Sequence, residues 1–200
     1  MLRRSLSLVL ALAAATALAP AALAVRVHVR VEGRAQTLFG AAEPLLEVKA
    51  NALDALEAAS VAGEFYYHVK TTSFGPFVDQ IGRYPGVGAS GWVFKVNGAL
   101  APVGADQVSL KEGDTVLWYW ATFDPAGHGT QTLRLERRRG RPCYRVWEQD
   151  DAGKLRRAAH AILHVDGRSV RAPTGAACVG RHRGLVRATA PGDVRSNALP

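Results

Sequence analysis

Beyond its first 24 residues the 200-residue chain has no long apolar run, no C-x-x-C pair, no G-x-S-x-G, no internal repeat and no low-complexity tract. The first absence excludes a membrane-spanning helix from the mature chain, since such a helix needs about 20 predominantly apolar residues. Cysteine is limited to Cys143 and Cys178. The pair is expected to form one disulfide in an oxidising compartment, closing a loop of about 35 residues worth about 3–4 kcal/mol on a chain-entropy account. The alternative, a metal pair, lacks the second C-x-x-C that would complete a site. Ser90 stands in G-A-S-G with no neighbouring acid and histidine, so no nucleophile–base set is apparent and an enzyme is not expected. Lysine is scarce, five against 20 arginines, a bias that fits a GC-rich coding sequence without selection for phosphate.

What is present begins with an export signal over residues 1–24. Arg3 and Arg4 give a positive start, Leu6 to Leu18 an apolar run, and Ala22-Leu23-Ala24 an A-x-A cleavage site. A mature chain from Val25 is expected to be secreted, or held at the cell surface, with 176 residues and a net charge of +6 instead of +8. A basic exported protein meets acidic wall polymers or lipid head groups more readily than nucleic acid, which is not expected as a partner.

Gly86, Gly88 and Gly91 have the spacing G-x-G-x-x-G, which carries a dinucleotide only between a strand and a helix. Here Trp92 to Val96 follow, aromatic or β-branched except Lys95, and then Asn97-Gly98, a two-residue hairpin turn. The glycines lead into a strand. Val25 to Val31 alternates, valines on one face and Arg26, His28 and Arg30 on a face expected to be solvated. A short strand is expected at Leu45–Val48, then a helix capped by Asn51, with Asp54 in the capping-box position and Gly63 at its end. Strands follow at Glu64–Thr71, Gly91–Val96 and Thr115–Thr122, the last fed by a turn at 111–114. A Pro/Gly linker at 125–129 is taken as the boundary between residues 25–124 and 130–200. The second part reads as short strands with turns at Gly140, 151–153, Asp166-Gly167 and Pro191-Gly192, which suggests a small all-β sandwich.

T-T-S-F-G-x-F-V-x-x-I (Thr71 to Ile81), S-G-W-V-F-K-V-N-G (Ser90 to Gly98) and L-K-E-G-D-T-V-L-W (Leu110 to Trp118) together resemble the DUF4430 family. That family is similar to the C-terminal domain of the cobalamin carriers transcobalamin and intrinsic factor. The resemblance covers about residues 26–123 and implies an α+β β-grasp, a mixed sheet curled around one helix. It implies ligand contacts from Thr72, Ser73, Phe74 and Gly75 in the T-S-aromatic-G turn, and from Trp92 and Phe94 on the following strand. No cofactor is implied, and cobalamin enters only as a candidate ligand. The chain lacks the large helical domain that covers the other corrinoid face in the carriers. The tail from Leu185 to Asn197 and the hairpin from Val165 to Val170 more loosely resemble bacterial Ig-like or carboxypeptidase-regulatory-like modules.

Of the remaining features, the aromatics between Phe65 and Phe123 divide between core and a partly exposed platform, with Trp118 and Trp120 on one face of their strand and Tyr119 on the other. Arg134, Arg137, Arg138, Arg139 and Arg141 read as a solvated hairpin tip, or as a contact for an anionic polymer. His68 is expected to be partly buried, and His160 and His164 to stand on a solvated strand face. The first module, with the helix and most aromatics, is expected to fold without help from the cysteines. Together these readings describe an exported binding protein for a surface polymer, a partner or a small ligand, with corrinoid binding as the alternative.

Overall fold

The computed structural model describes residues 24–73 and 75–200. The expected signal segment, save Ala24, and Phe74 lie outside the described residues. The first half contains β1 (Val25–Glu32), β2 (Thr37–Phe39), β3 (Leu45–Val48), α1 (Ala52–Gly63), β4 (Tyr67–Thr72), β5 (Gly75–Ile81), β6 (Tyr84–Pro85), β7 (Ser90–Val96), β8 (Ala99–Leu100) and β9 (Thr115–Thr122). The second contains β10 (Thr132–Arg137), β11 (Cys143–Gln149), β12 (Leu155–Arg157), β13 (Ala161–Val165), β14 (Arg168–Ala172), β15 (Ala176–Cys178), β16 (Val186–Thr189) and β17 (Ala198–Leu199). Strands dominate, and α1 is the one α-helix among the described residues.

The principal sheet runs β2-β1-β9-β7-β8, with β3 also on β1. β1 and β9 are parallel, while β7 lies antiparallel to β9. α1 forms because Asn51 accepts hydrogen bonds from the N–H groups of Leu53 and Asp54 at 3.0 and 2.9 Å, while Asp54 accepts from the Asn51 N–H. The left-handed residue that ends the helix is Glu64, at φ 51°, and not Gly63. Gly63 serves a close approach instead: a Cβ there would stand 2.8 Å from the Phe39 ring. α1 sets Ala52, Ala55, Leu56 and Ala59 against Val27, Val29 and Val31 of β1, and the Trp118 indole N–H donates to the Ala52 carbonyl at 3.2 Å. β4, β5 and β6 make a separate three-stranded sheet.

The glycine-rich stretch is a tight turn between β6 and β7, where Val87 and Ser90 exchange both backbone hydrogen bonds. No helix follows it, as the sequence indicates. Asn97 and Gly98, at φ 51° and 88°, form the hairpin turn between β7 and β8.

The second half has two four-stranded sheets, β10-β11-β12 with β15 on β11, and β14-β13-β16-β17. Leu133, Leu135, Tyr144, Val146, Leu163, Val165, Val186 and Ala188 belong to one buried cluster shared by both sheets. Cys143 and Cys178 are directly paired across β11 and β15 and form a disulfide, 35 residues apart in sequence.

Several sequence expectations are corrected. The polar side of β1 is not solvated at its C-terminal end: Arg30 is 4% exposed and Glu32 fully buried, because the second half covers that face. Glu32 is paired with Arg187 and Arg195, and Arg30 donates to the Arg195 carbonyl at 2.5 Å. Tyr119 and Ala121 of β9 pack with Val194 on the same face. The principal sheet is thus covered by α1 on one face and by the second half on much of the other. Segment 124–129 is a compact turn, with the Asp124 carboxylate accepting from the N–H groups of Ala126 and His128. His68 is exposed, and its ring nitrogen meets Asp79 at 2.6 Å. His160 precedes β13 at φ 57°, so only His164 stands on the strand, where it bonds Ser169 and Thr189.

Gly98 also packs between the halves, since a Cβ there would lie 2.0 Å from the Gln149 amide nitrogen. Gly98→Val combines that overlap with a positive φ, and is expected to lower stability by about 2–4 kcal/mol in denaturant titrations. An unshifted midpoint would contradict the packing.

Candidate functional site

The tip of the β4–β5 hairpin, strand β7, the loop at 100–105 and the start of α1 surround a cavity of about 300 Å³. Its floor is aromatic. Phe94 stacks on Trp118 with ring centroids 4.9 Å apart, and Trp92 meets Trp120 edge-on at 5.8 Å. The Trp92 indole N–H is held by the Tyr84 carbonyl at 2.7 Å. Trp92 is 2% exposed and Phe94 8%, so they are a buried floor and not a platform standing in solvent. Leu53, Val78 and Ala105 add apolar walls.

The rim carries more exposed groups. Thr72 and Gly75 are register partners, and the Thr72 hydroxyl donates to the Gly75 carbonyl at 2.8 Å. Phe77 and Val103, about half exposed, flank the opening. Of the six residues named from the sequence, Thr72, Gly75, Trp92 and Phe94 are thus brought to one cavity. Ser73 is exposed in the turn and off the lining, and Phe74 lies outside the described residues.

The loop bearing Ala101, Val103, Gly104 and Ala105 was not legible in the sequence as a wall. It is placed by tertiary hydrogen bonds at the helix start: Leu53 N–H to the Ala105 carbonyl and Ala52 N–H to the Val108 carbonyl, both 3.2 Å. Among the described residues no charged side chain lines the cavity. It can enclose an apolar group of modest size, at the low end of ordinary ligand sites.

A perturbed charge lies elsewhere. Lys95, fully buried on the sheet face that meets the second half, donates to the Thr132 hydroxyl and to the Gln149 and Asp150 carbonyls at 2.8–3.2 Å. Burial pushes its ammonium down to about 8, against the opposing pull of Asp151 and Asp150. Burial likewise raises the Tyr119 phenol, which lies under the ammonium. Between pH 8 and 10.5 the folded chain holds Lys95 neutral while the unfolded chain still binds a proton there. Stability therefore rises with pH across that window. Relative to Lys95→Met, the wild type is expected to gain about 1–2 kcal/mol between pH 7.5 and 9.5. A pH-independent difference in melting would contradict this.

No group of three or more His, Cys, Asp or Glu is placed to hold a metal ion among the described residues. None of the helices there is long and apolar enough to cross a membrane.

Residues 49–122, which contain α1 and most of the cavity lining, match the family described as "Domain of unknown function (DUF4430)". No curated protein matches the chain. Among solved structures it is similar to a candidate metal-binding protein from Ruminococcus gnavus ATCC 29149, at 16% identity and a TM-score of 0.39, covering 50% of this chain and 99% of that one.

Proposed function

We propose that this chain, whose residues 49–122 are a DUF4430 domain, is an exported, non-enzymatic binding protein that encloses a small apolar ligand or apolar ligand moiety. The observation that carries the reading is the aromatic-floored cavity of about 300 Å³ with its half-exposed apolar rim. Four residues singled out in the sequence meet there, and none of the described lining residues is charged. The parallel β1/β9 pair with α1 across one face supports the β-grasp reading of the first half. The two sheets around one core support a sandwich module in the second. The disulfide supports an oxidising, extracytoplasmic location.

The test is saturation of tryptophan quenching by a small aromatic probe, 1-anilinonaphthalene-8-sulfonate, in wild type and Ala101→Leu. Leucine at 101 fills the cavity without introducing charge, and is expected to weaken binding at least about tenfold. Equal binding by both proteins would place the probe elsewhere.

Corrinoid binding is the second reading, favoured by the meeting of Thr72, Gly75, Trp92 and Phe94 at one opening. A corrinoid is too large for the cavity, so only a peripheral group would enter while the ring lay across Phe77 and Val103. Cobalamin displacing the probe competitively would support this reading; no displacement up to about 100 μM would remove it.

A further inference from the structure

Charge is divided unevenly along the chain. Residues 130–200 hold 15 Lys and Arg against six Asp and Glu, whereas residues 25–129 hold eight against eleven. Much of the excess gathers at one end of the second half. Arg137, Arg138, Arg139 and Arg141 occupy the β10–β11 tip, Arg181 and Arg183 the loop before β16, and Arg168 the β13–β14 tip. All seven are exposed, and no carboxylate lies within ion-pair distance of any of them among the described residues. By contrast, Arg26, Arg30, Arg156, Arg187 and Arg195 are each paired with a carboxylate.

The three segments are fixed side by side. The disulfide joins Cys143, next to the β10–β11 tip, to Cys178, two residues before Gly180, and the Val179 N–H donates to the Pro142 carbonyl at 2.9 Å. Asp166 accepts from the N–H groups of Arg183 and Gly184 at 3.0 and 2.7 Å, and Arg168 donates to the Arg181 carbonyl at 3.3 Å. The hydrogen bond from the Arg183 N–H, foremost, holds the Asp166 carboxyl below its ordinary range. This carboxylate is therefore occupied by backbone donors. Between the segments runs an open cleft of about 820 Å³ whose lining includes Arg137, Arg181, His182 and Arg183, with Asp166 as its one acidic side chain and Pro200 at its edge. His182 is held by the Tyr144 hydroxyl and the Gly184 carbonyl.

We propose that this arginine-lined cleft docks an extended polyanion bearing phosphate or carboxylate groups at regular intervals, such as an anionic surface polymer. Seven exposed arginines on braced loops far outnumber the one carboxylate side chain beside them, Asp166, so like charge accumulates there, and an anionic chain relieves that repulsion by displacing counterions. Guanidinium forks suit phosphate and carboxylate, which they grip with two parallel hydrogen bonds. The shape selects among polyanions. A thin chain can lie in the cleft, whereas a flat bilayer meets only its rims. Among the described residues no Phe, Tyr or Trp lines the cleft, and its one aromatic ring, His182, is held by Tyr144 and the Gly184 carbonyl, which leaves no open platform for successive nucleic-acid bases. The site is separate from the apolar cavity, and neither proposal depends on the other.

The test uses the full mature chain and two probes, long-chain inorganic polyphosphate and poly-glutamate, with affinity measured from 50 to 200 mM salt. With about five charges engaged, polyphosphate affinity is expected to fall about 100-fold over that range. Arg137→Gln/Arg181→Gln/Arg183→Gln should weaken binding about 30-fold and flatten the salt slope by about two. The charge-matched control Lys49→Gln/Lys70→Gln/Lys111→Gln, exposed in the first half, should change affinity less than about threefold. Equal loss in both triples, or no saturable binding of either probe, would overturn the proposal. So would tighter binding, at matched charge, to phosphatidylglycerol vesicles or duplex DNA.

Discussion

Glu32→Ala is expected to destabilise the chain by about 3–5 kcal/mol, because it leaves a cluster of arginines without their counter-charge. Glu32 sits at the end of β1, fully buried, and receives Arg187, Arg195 and the Thr37 hydroxyl. Arg30 approaches it at 3.5 Å and also pairs with Glu43 at 3.1 Å. Arg187 and Arg195 come from the far end of the sequence, so one carboxylate ties β1 to the chain's last strands. Removing it leaves the buried Arg30 and the largely buried Arg187 and Arg195 without their shared carboxylate. Glu32→Gln should recover only part of the loss, since an amide accepts hydrogen bonds but carries no charge. Denaturant titrations measure both. If Glu32→Ala lies within about 0.5 kcal/mol of wild type, the network does not hold the halves together.

Reducing Cys143–Cys178 is expected to cost about 3–4 kcal/mol, from freeing a 35-residue loop in the unfolded chain. Both cysteines lie in the second half, and the sequence alone suggests that only that half should respond. The structure changes the expectation. Tyr119 and Ala121 pack on Val194, Lys95 donates into the β11–β12 turn, and the Ala198 N–H donates to the Ala41 carbonyl at 2.7 Å. Loss of the second half would uncover these groups together. Calorimetry of the reduced chain should show one cooperative transition moved to lower temperature. A second, unshifted transition from the first half would show that the two unfold independently.

The parts of the fold legible in the sequence were those set by local chemistry. The Asn97-Gly98 turn, the Asn51–Asp54 capping box and the strand at 115–122 depend on residues within a few positions of one another. What escaped was decided by contacts between distant segments. The alternation V-R-V-H-V-R-V is the same whether Arg30 faces water or a carboxylate network closed by Arg187 and Arg195. The helix ends at Gly63 as expected, but the left-handed cap falls on Glu64, and the glycine is needed instead for the close approach of Phe39 and Phe65. The two-residue strand β17 carries no period to detect. For the cavity, the motif residues Thr72, Gly75, Trp92 and Phe94 were visible, while the 100–105 loop opposite them was not. That loop owes its position to backbone hydrogen bonds with the start of α1.

The central claim is that the first half encloses a ligand on its aromatic floor, and the most direct measurement locates a bound probe there. Heteronuclear spectra of the mature chain, recorded while 1-anilinonaphthalene-8-sulfonate is added, should show saturable shifts of the Trp92 and Trp118 indole N–H signals. Shifts should extend to Gly75 and Ala105 and leave the arginine-rich end unchanged, and Ala101→Leu should abolish them. Shifts confined to other surfaces, or no saturation by about 100 μM probe, would contradict the account.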